Sequence, residues 1–163
     1  MIRIHWDSSA LPYGAVMEIY QDELRCRAQK AYPDVSPTEA LFEAEQDFYS
    51  YLSRDFFSVK GAFLVILGDA SALRMEPYMD GYLLTGLCTA PAHRRKGLAN
   101  MLLRHAISVL PENCPIYSHV EKSNEASVAF HKAFGFMTIS DHAQLIDGTH
   151  ASDYWTLRYL SGS

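Results

Sequence analysis

The sequence predicts an α/β domain: a mixed sheet with helices on both faces. Three observations lead to this. Apolar runs of strand length fill the middle of the chain, at 62–67, 72–78 and 81–89. Segments with a 3.6-residue apolar period flank them on both sides. Between the most apolar run and the next helical segment stands a turn crowded with cations and a glycine, Arg94-Arg95-Lys96-Gly97.

In order, Ile2, Ile4 and Trp6 alternate with Arg3, His5 and Asp7, a half-buried strand. Residues 13–30 read as one helix, with Val16, Ile19, Tyr20, Leu24 and Ala28 on its apolar side, ended by Tyr32-Pro33-Asp34. Ser36-Pro37-Thr38-Glu39 is a capping box with proline at the first helical position, and it opens a helix to about residue 54. That helix turns Ala40, Leu41, Ala44, Phe48 and Leu52 inward. The run 62–67 is a buried strand closed by Gly68-Asp69, and 81–89, almost wholly apolar, is a central one. The helix 97–110 places Leu98, Met101, Leu102, Ala106 and Val109 on one face. Pro111-Glu112-Asn113 turns the chain into a strand at 115–121. A helix at 124–134 sets Ala126, Ala129, Phe130 and Ala133 on one face and stops at Gly135. A hairpin, 136–146 with 152–160, joins through Asp147-Gly148, and the terminal Ser-Gly-Ser frays. The order is β-α-α-β-β-β-α-β-α-β-β.

A length of 163 residues suits a single domain spanning 1–163. With 48% hydrophobic residues the chain can fill a core, and a net charge of −5 argues against nucleic acid as the main partner. Three cysteines, Cys26, Cys88 and Cys114, are odd in number and lack metal-like spacing, which fits a reduced, cytoplasmic setting. The first residues lack the apolar region of a signal peptide, and no segment has the length of a membrane span, so no membrane partner is expected.

Helix starts favour acidic and hydroxyl residues because the positive end of the helix dipole lies there. Two arginines and a lysine at that position oppose the dipole unless an anion joins them, and phosphate is the usual one.

The stretch from Leu87 through Ala99, LCTAPAHRRKGLA, resembles the acetyl-CoA-binding motif of the GNAT acetyltransferase superfamily: a strand end, a proline-containing turn, [QR]-x-x-G-x-[GA], then a helix. The stretch from Asn124 through Phe136, NEASVAFHKAFGF, resembles that family's second signature, and within it S-x-x-x-H-x-x-x-G-F is closest to the branch containing phosphinothricin acetyltransferases. The element order along the whole chain also matches the GNAT fold. The resemblance implies acetyl-CoA as cosubstrate, with no metal. Main-chain groups of Leu87, Cys88 and Thr89 would pair with the pantetheine arm. Arg94, Arg95, Lys96, Gly97, Leu98 and Ala99 would hold the pyrophosphate. Asn124, Ser127 and His131 would lie beside the cofactor. Some relatives carry a glutamate base where this chain has Leu83, so any base must lie elsewhere. Homodimers are common in the family, and these residues do not establish one.

Acetyl transfer to an amine needs a base to deprotonate the nucleophile and an acid for the departing thiolate. The signature's usual tyrosine acid is replaced by His131, the candidate acid. In the strand 115–121, alternation puts Tyr117, His119 and Glu121 on one face, with Ile116, Ser118 and Val120 on the other. His119 lies twelve residues before His131, as a glutamate base does before the tyrosine acid in enzymes acetylating a ribosomal-protein N-terminus. His119 is the first candidate base and Glu121 the second. His5, His93, His105, His142 and His150 form no pair with metal spacing, and Cys88 reads as a buried small residue, so direct transfer is expected. The N-terminal helices, their loop and the C-terminal hairpin would recognise the acceptor, a primary amine of a small molecule or peptide. Tyr13, Tyr20, Phe48, Tyr49, Tyr51 and Trp155 offer aromatic surface, although most of them are expected in the core, and Asp34, Glu43 and Asp47 offer negative charge. A CoA-binding sensor without turnover is the alternative, and a nucleotide-binding protein is disfavoured because G-x-x-x-x-G-K-[ST] and G-x-G-x-x-G are absent.

Overall fold

The structure is a computed structural model that describes residues 1–160; the expected terminal fraying lies outside them. The elements are β1 (Ile2–His5), α1 (Tyr13–Ile19), α2 (Gln21–Ala31), α3 (Pro37–Tyr51) with a π-helical turn (Leu52–Phe56), β2 (Phe63–Leu67), β3 (Ser71–Tyr78) and β4 (Gly81–Thr89). After a 3₁₀ turn (Pro91–His93) come α4 (Leu98–Ser108), β5 (Pro115–Glu121), α5 (Glu125–Phe134), β6 (Met137–Ser140), β7 (Ala143–Gln144), β8 (His150–Ala151) and β9 (Tyr154–Leu160). Seven strands take the order β1-β2-β3-β4-β5-β9-β6, with β7 and β8 forming a separate ribbon. β4 and β5 run parallel, while β1–β2, β5–β9 and β6–β9 are antiparallel, so the sheet is mixed as expected. The parallel pair requires a crossover, which α4 supplies.

The chain divides into two compact units, Met1–Arg74 with Gly86–Leu103, and Met75–Thr85 with Arg104 onward, so β3, β4 and α4 each contribute to both. The core of the first unit gathers Val16, Ile19, Tyr20, Leu24, Phe48, Leu52, Phe56, Leu64 and Ile66. In the second, Ile116, Val120, Phe134, Phe136 and Leu157 are buried, and the rings of Phe134, Phe136 and Tyr159 meet at 5.2–5.9 Å between centroids.

Four sequence expectations change in detail. The helix expected over 13–30 is two helices, broken at Tyr20, whose backbone sits at φ −93°, ψ 12°. The buried Tyr20 ring sends its hydroxyl to the Gly86 carbonyl, 2.6 Å away, so a tertiary bond accompanies the break. The next helix begins as expected, the Ser36 side chain accepting from the Glu39 N–H. It ends in the π turn, where Phe57 N–H bonds the Leu52 carbonyl at 3.1 Å, and both Leu52 and Phe56 are buried.

On α4 the inward face centres on Leu102, Leu103 and Ala106, all fully buried, whereas Met101 is 47% exposed and Val109 is also exposed. On α5, Ala126, Ala129 and Ala133 are exposed, and the buried positions are His131 and Phe134. On α4 the buried face is rotated by about one position, keeping Leu102 and Ala106 and adding Leu103; on α5 the alanines give way to the larger His131 and Phe134.

The α4 face makes a direct test. By chemical denaturation, Leu102→Ala is expected to cost about 2–5 kcal/mol and Met101→Ala to stay within about 0.5 kcal/mol of the parent. Equal costs would contradict the assigned face.

Candidate active site

The basic turn lies in the first unit. Arg95 and Gly97 both take left-handed backbone conformations, at φ 64° and 74°. That conformation is free for Gly97 and strained for Arg95, and such strain tends to gather at ligand-binding turns. The Met101 N–H bonds the Gly97 carbonyl at 3.2 Å, which makes Gly97 the N-terminal boundary of α4. The N–H groups of Leu98 and Ala99 thus belong to the first turn, ahead of any helical carbonyl partner. No acidic residue occupies that turn, while Arg95, Lys96 and Gly97 are exposed. Arg94 has another task. Its Nε–H donates to the Thr89 carbonyl (3.1 Å) and its Nη2 to Asp22 (2.8 Å), bracing the turn against α2 and the end of β4.

The end of β4 is half-exposed from Thr85 to Thr89. Its ladder with β5 runs from Tyr82↔Ile116 through Leu83↔Tyr117 to Leu84↔Ser118. Leu83 is buried. The Ser71 hydroxyl donates to the Cys88 carbonyl at 2.9 Å and lies 3.0 Å from the Thr89 hydroxyl. The Cys88 thiol donates to the Ile19 carbonyl, and burial pushes its pKa up, so it stays protonated and poorly nucleophilic.

The candidate proton carriers lie in the second unit, and β5 separates them. His131 is 4% exposed. Its Nδ1 stands 2.7 Å from the Ser127 carbonyl and its Nε2 2.8 Å from the Ser118 hydroxyl. Both contacts are satisfied by a neutral ring that donates from Nδ1 to the carbonyl and accepts from Ser118 at Nε2. Burial lowers the pKa of His131, the bond to Ser127 opposing it. The Phe136 ring packs at 4.9 Å, and Gly135 and Phe136 N–H groups both return to the His131 carbonyl. Asn124 caps α5, its side chain accepting from the Ser127 N–H at 3.2 Å.

His119 points the other way. Its ring meets Tyr78 edge-on at 5.5 Å, as does that of Tyr117, so Tyr117 and His119 share a face, and Ser118 with His131 takes the opposite one. His119 Nε2 is buried and has no hydrogen-bond partner among the described residues. Its pKa is lowered by burial, which leaves a neutral imidazole with an open lone pair or N–H. Beside it the Tyr117 hydroxyl donates to Asp80 at 2.5 Å, and Tyr78 donates to the Gln144 carbonyl of β7. Glu121 is exposed at the strand end, 3.4 Å from the Tyr154 hydroxyl. Sequence reasoning misses Ser118, Tyr78 and Asp80 as site residues; its one hint is the alternation that sets Ser118 opposite His119.

Of the six aromatics, most of them expected in the core, Tyr20 and Phe48 are core residues. Trp155 carries the Lys122 ammonium over its ring at 4.5 Å. Among the described residues no group of three metal-ligating side chains occurs and no helix is long and apolar enough to cross a membrane.

The model of the acetyltransferase (GNAT) family matches residues 15–136, three-quarters of the chain, including the basic turn and the α5 signature. The chain belongs to the GNAT acetyltransferase family. It is 36% identical over 61 residues to N-alpha-acetyltransferase 50 of Danio rerio, a stretch covering 36% of either chain, so the match spans about a third of that relative's length. The ribosomal-protein-S18-alanine N-acetyltransferase of Escherichia coli shares its fold, with a TM-score of 0.58 at 20% identity over 100% of this chain and 96% of that one. So does the PaiA N-acetyltransferase of Thermoplasma acidophilum, solved in complex with coenzyme A, with a TM-score of 0.61 at 13% identity over 98% and 99%.

The two histidines set a pH dependence. Each has a folded-state pKa below the unfolded value of 6.5, so the unfolded chain binds protons first as pH falls. Stability is therefore full above pH 6.5 and declines below it. The Tm is expected to fall from pH 7 to pH 5, and His131→Gln is expected to flatten that fall. An unchanged slope in the variant would show that His131 is not a buried neutral group.

Proposed function

We propose that this protein transfers an acetyl group from acetyl-CoA directly to a primary amine of a small molecule or peptide, in the cytoplasm. The observation that carries the proposal is the left-handed turn at Arg95 and Gly97 feeding the start of α4, at the residues that match the family's R-x-x-G-x-A. Arg95, Lys96 and the first N–H groups of α4 hold the pyrophosphate, and Gly97 lets the backbone come close. Arg94 keeps the turn in shape. Leu87, Cys88 and Thr89 offer main-chain groups to the pantetheine arm, one N–H polarising the thioester carbonyl as charge develops on it. Asn124 and Ser127 are assigned to cofactor binding on the strength of the motif resemblance alone.

His119 is the base of this reading. Its neutral ring and unpartnered Nε2 suit it to accept a proton from the amine, directly or through water, while exposed Glu121 is the weaker candidate. His131 enters differently from the expectation of a free acid. With both nitrogens engaged and a lowered pKa, it anchors α5 to β5 through Ser118. Within the S-x-x-x-H-x-x-x-G-F pattern, the Ser127 carbonyl accepts from His131, and the Gly135 and Phe136 N–H groups close the helix on the His131 carbonyl. The buried His131 and the apolar Leu83 are what favour the second reading, a CoA-binding sensor without turnover.

Acetyl-CoA at a hundred times its Kd is expected to stabilise the protein by about 2.7 kcal/mol, a rise in Tm of roughly 5–10 °C. A screen of amines and peptides for free-thiol release should then yield a substrate. His119→Ala is expected to lower kcat by about 10²–10⁴, and His131→Ala chiefly to lower the Tm. Binding with no turnover of any amine supports the sensor, and absence of binding removes both readings.

A further inference from the structure

Arg74 is an anomaly of the first unit. It lies within the apolar strand β3, is only 8% exposed, and its Nε and Nη1 have no hydrogen-bond partner among the described residues. Its guanidinium sits among four rings, those of Tyr20, Phe48, Tyr51 and Phe56, with Cζ 5.3–5.9 Å from their centroids. Such contacts with aromatic faces compensate in part for a cation removed from water. The same planar group is pressed against Gly86 of β4. A Cβ placed on Gly86 would stand 2.6 Å from Arg74 Cζ, and Gly86 adopts a left-handed φ of 56° inside a strand. A left-handed residue breaks the alternation of a strand and re-aims the residues after it. In β4 those residues are Leu87, Cys88 and Thr89. The carbonyl of Gly86 is held from α1–α2 by the Tyr20 hydroxyl at 2.6 Å. Burial raises the Tyr20 pKa far above the usual phenol range, so this donor stays protonated.

We propose that Tyr20 and Arg74 are positioning residues for acetyl transfer. Together they clamp Gly86 in its left-handed conformation, the hydroxyl by holding the carbonyl and the guanidinium by filling the space where a side chain would be. They thereby set the main-chain geometry that Leu87–Thr89 present to the pantetheine arm. The inference rests on the acetyl-CoA reading above and adds to it two residues that touch neither the cofactor nor the acceptor.

The test is calorimetric titration of CoA into the parent protein and into Tyr20→Phe, at a temperature where circular dichroism shows both fully folded. Loss of the single hydroxyl is expected to weaken CoA binding roughly three- to tenfold. Leu64→Val, a core change elsewhere in the same unit, serves as the control for general destabilisation and should leave Kd within about twofold of the parent. If Tyr20→Phe does not fold, Arg74→Lys takes its place, since lysine keeps the charge but loses the plane that packs on Gly86. A variant Kd within twofold of a parent that does bind CoA overturns the clamp and leaves the function standing. A parent that binds no CoA overturns the acetyl-CoA reading and this inference with it.

Discussion

β4 is the constraint on which the rest depends. It lies between β3 and β5 in the sheet; its first half pairs with β5 from Tyr82 to Leu84, and side chains bond carbonyls of its second half: Tyr20 on Gly86, Ser71 on Cys88, Arg94 on Thr89. These last bonds come from side chains and not from a partner in the β5 ladder. A strand end held this way keeps its shape while remaining half-exposed.

The basic turn obeys the same logic. Three cations at a helix start are unfavourable on their own, and a left-handed arginine adds strain. Arg94 resolves part of the repulsion through Asp22, leaving Arg95 and Lys96 directed to solvent with the first amides of α4. One cation is thus structural and two are available, a division that the run Arg-Arg-Lys does not reveal. In the second unit the same separation of roles divides the histidines. His131 is buried with both ring nitrogens in contact with Ser118 and Ser127, and His119 keeps an Nε2 without a partner among the described residues on the other face of β5.

Much of this is legible in the chain. Strands and helices with strong periods stand where expected, because a capping box at Ser36 and a glycine stop at Gly135 mark helix ends by local chemistry. The family is legible because two motifs agree across one strand. Tertiary choices are hidden. Nothing local announces that Tyr20 breaks a helix as it reaches a carbonyl 66 residues away. The choice of Leu103 over Met101 for the core depends on what α4 packs against. The partners of His131 depend on Ser118, and the sequence supplies only the alternation. Arg74 and Glu76 do offer a signal, being charges inside an otherwise apolar strand, a pattern that marks a built environment.

The central claim is that the end of β4 and the start of α4 form the cofactor's resting place. Amide hydrogen exchange with and without CoA tests it most directly. The account predicts that CoA slows exchange most at 87–89 and 95–99, leaving the β7–β8 ribbon unchanged. Protection confined to other segments, with 87–99 unaltered in a protein that binds CoA, would contradict it.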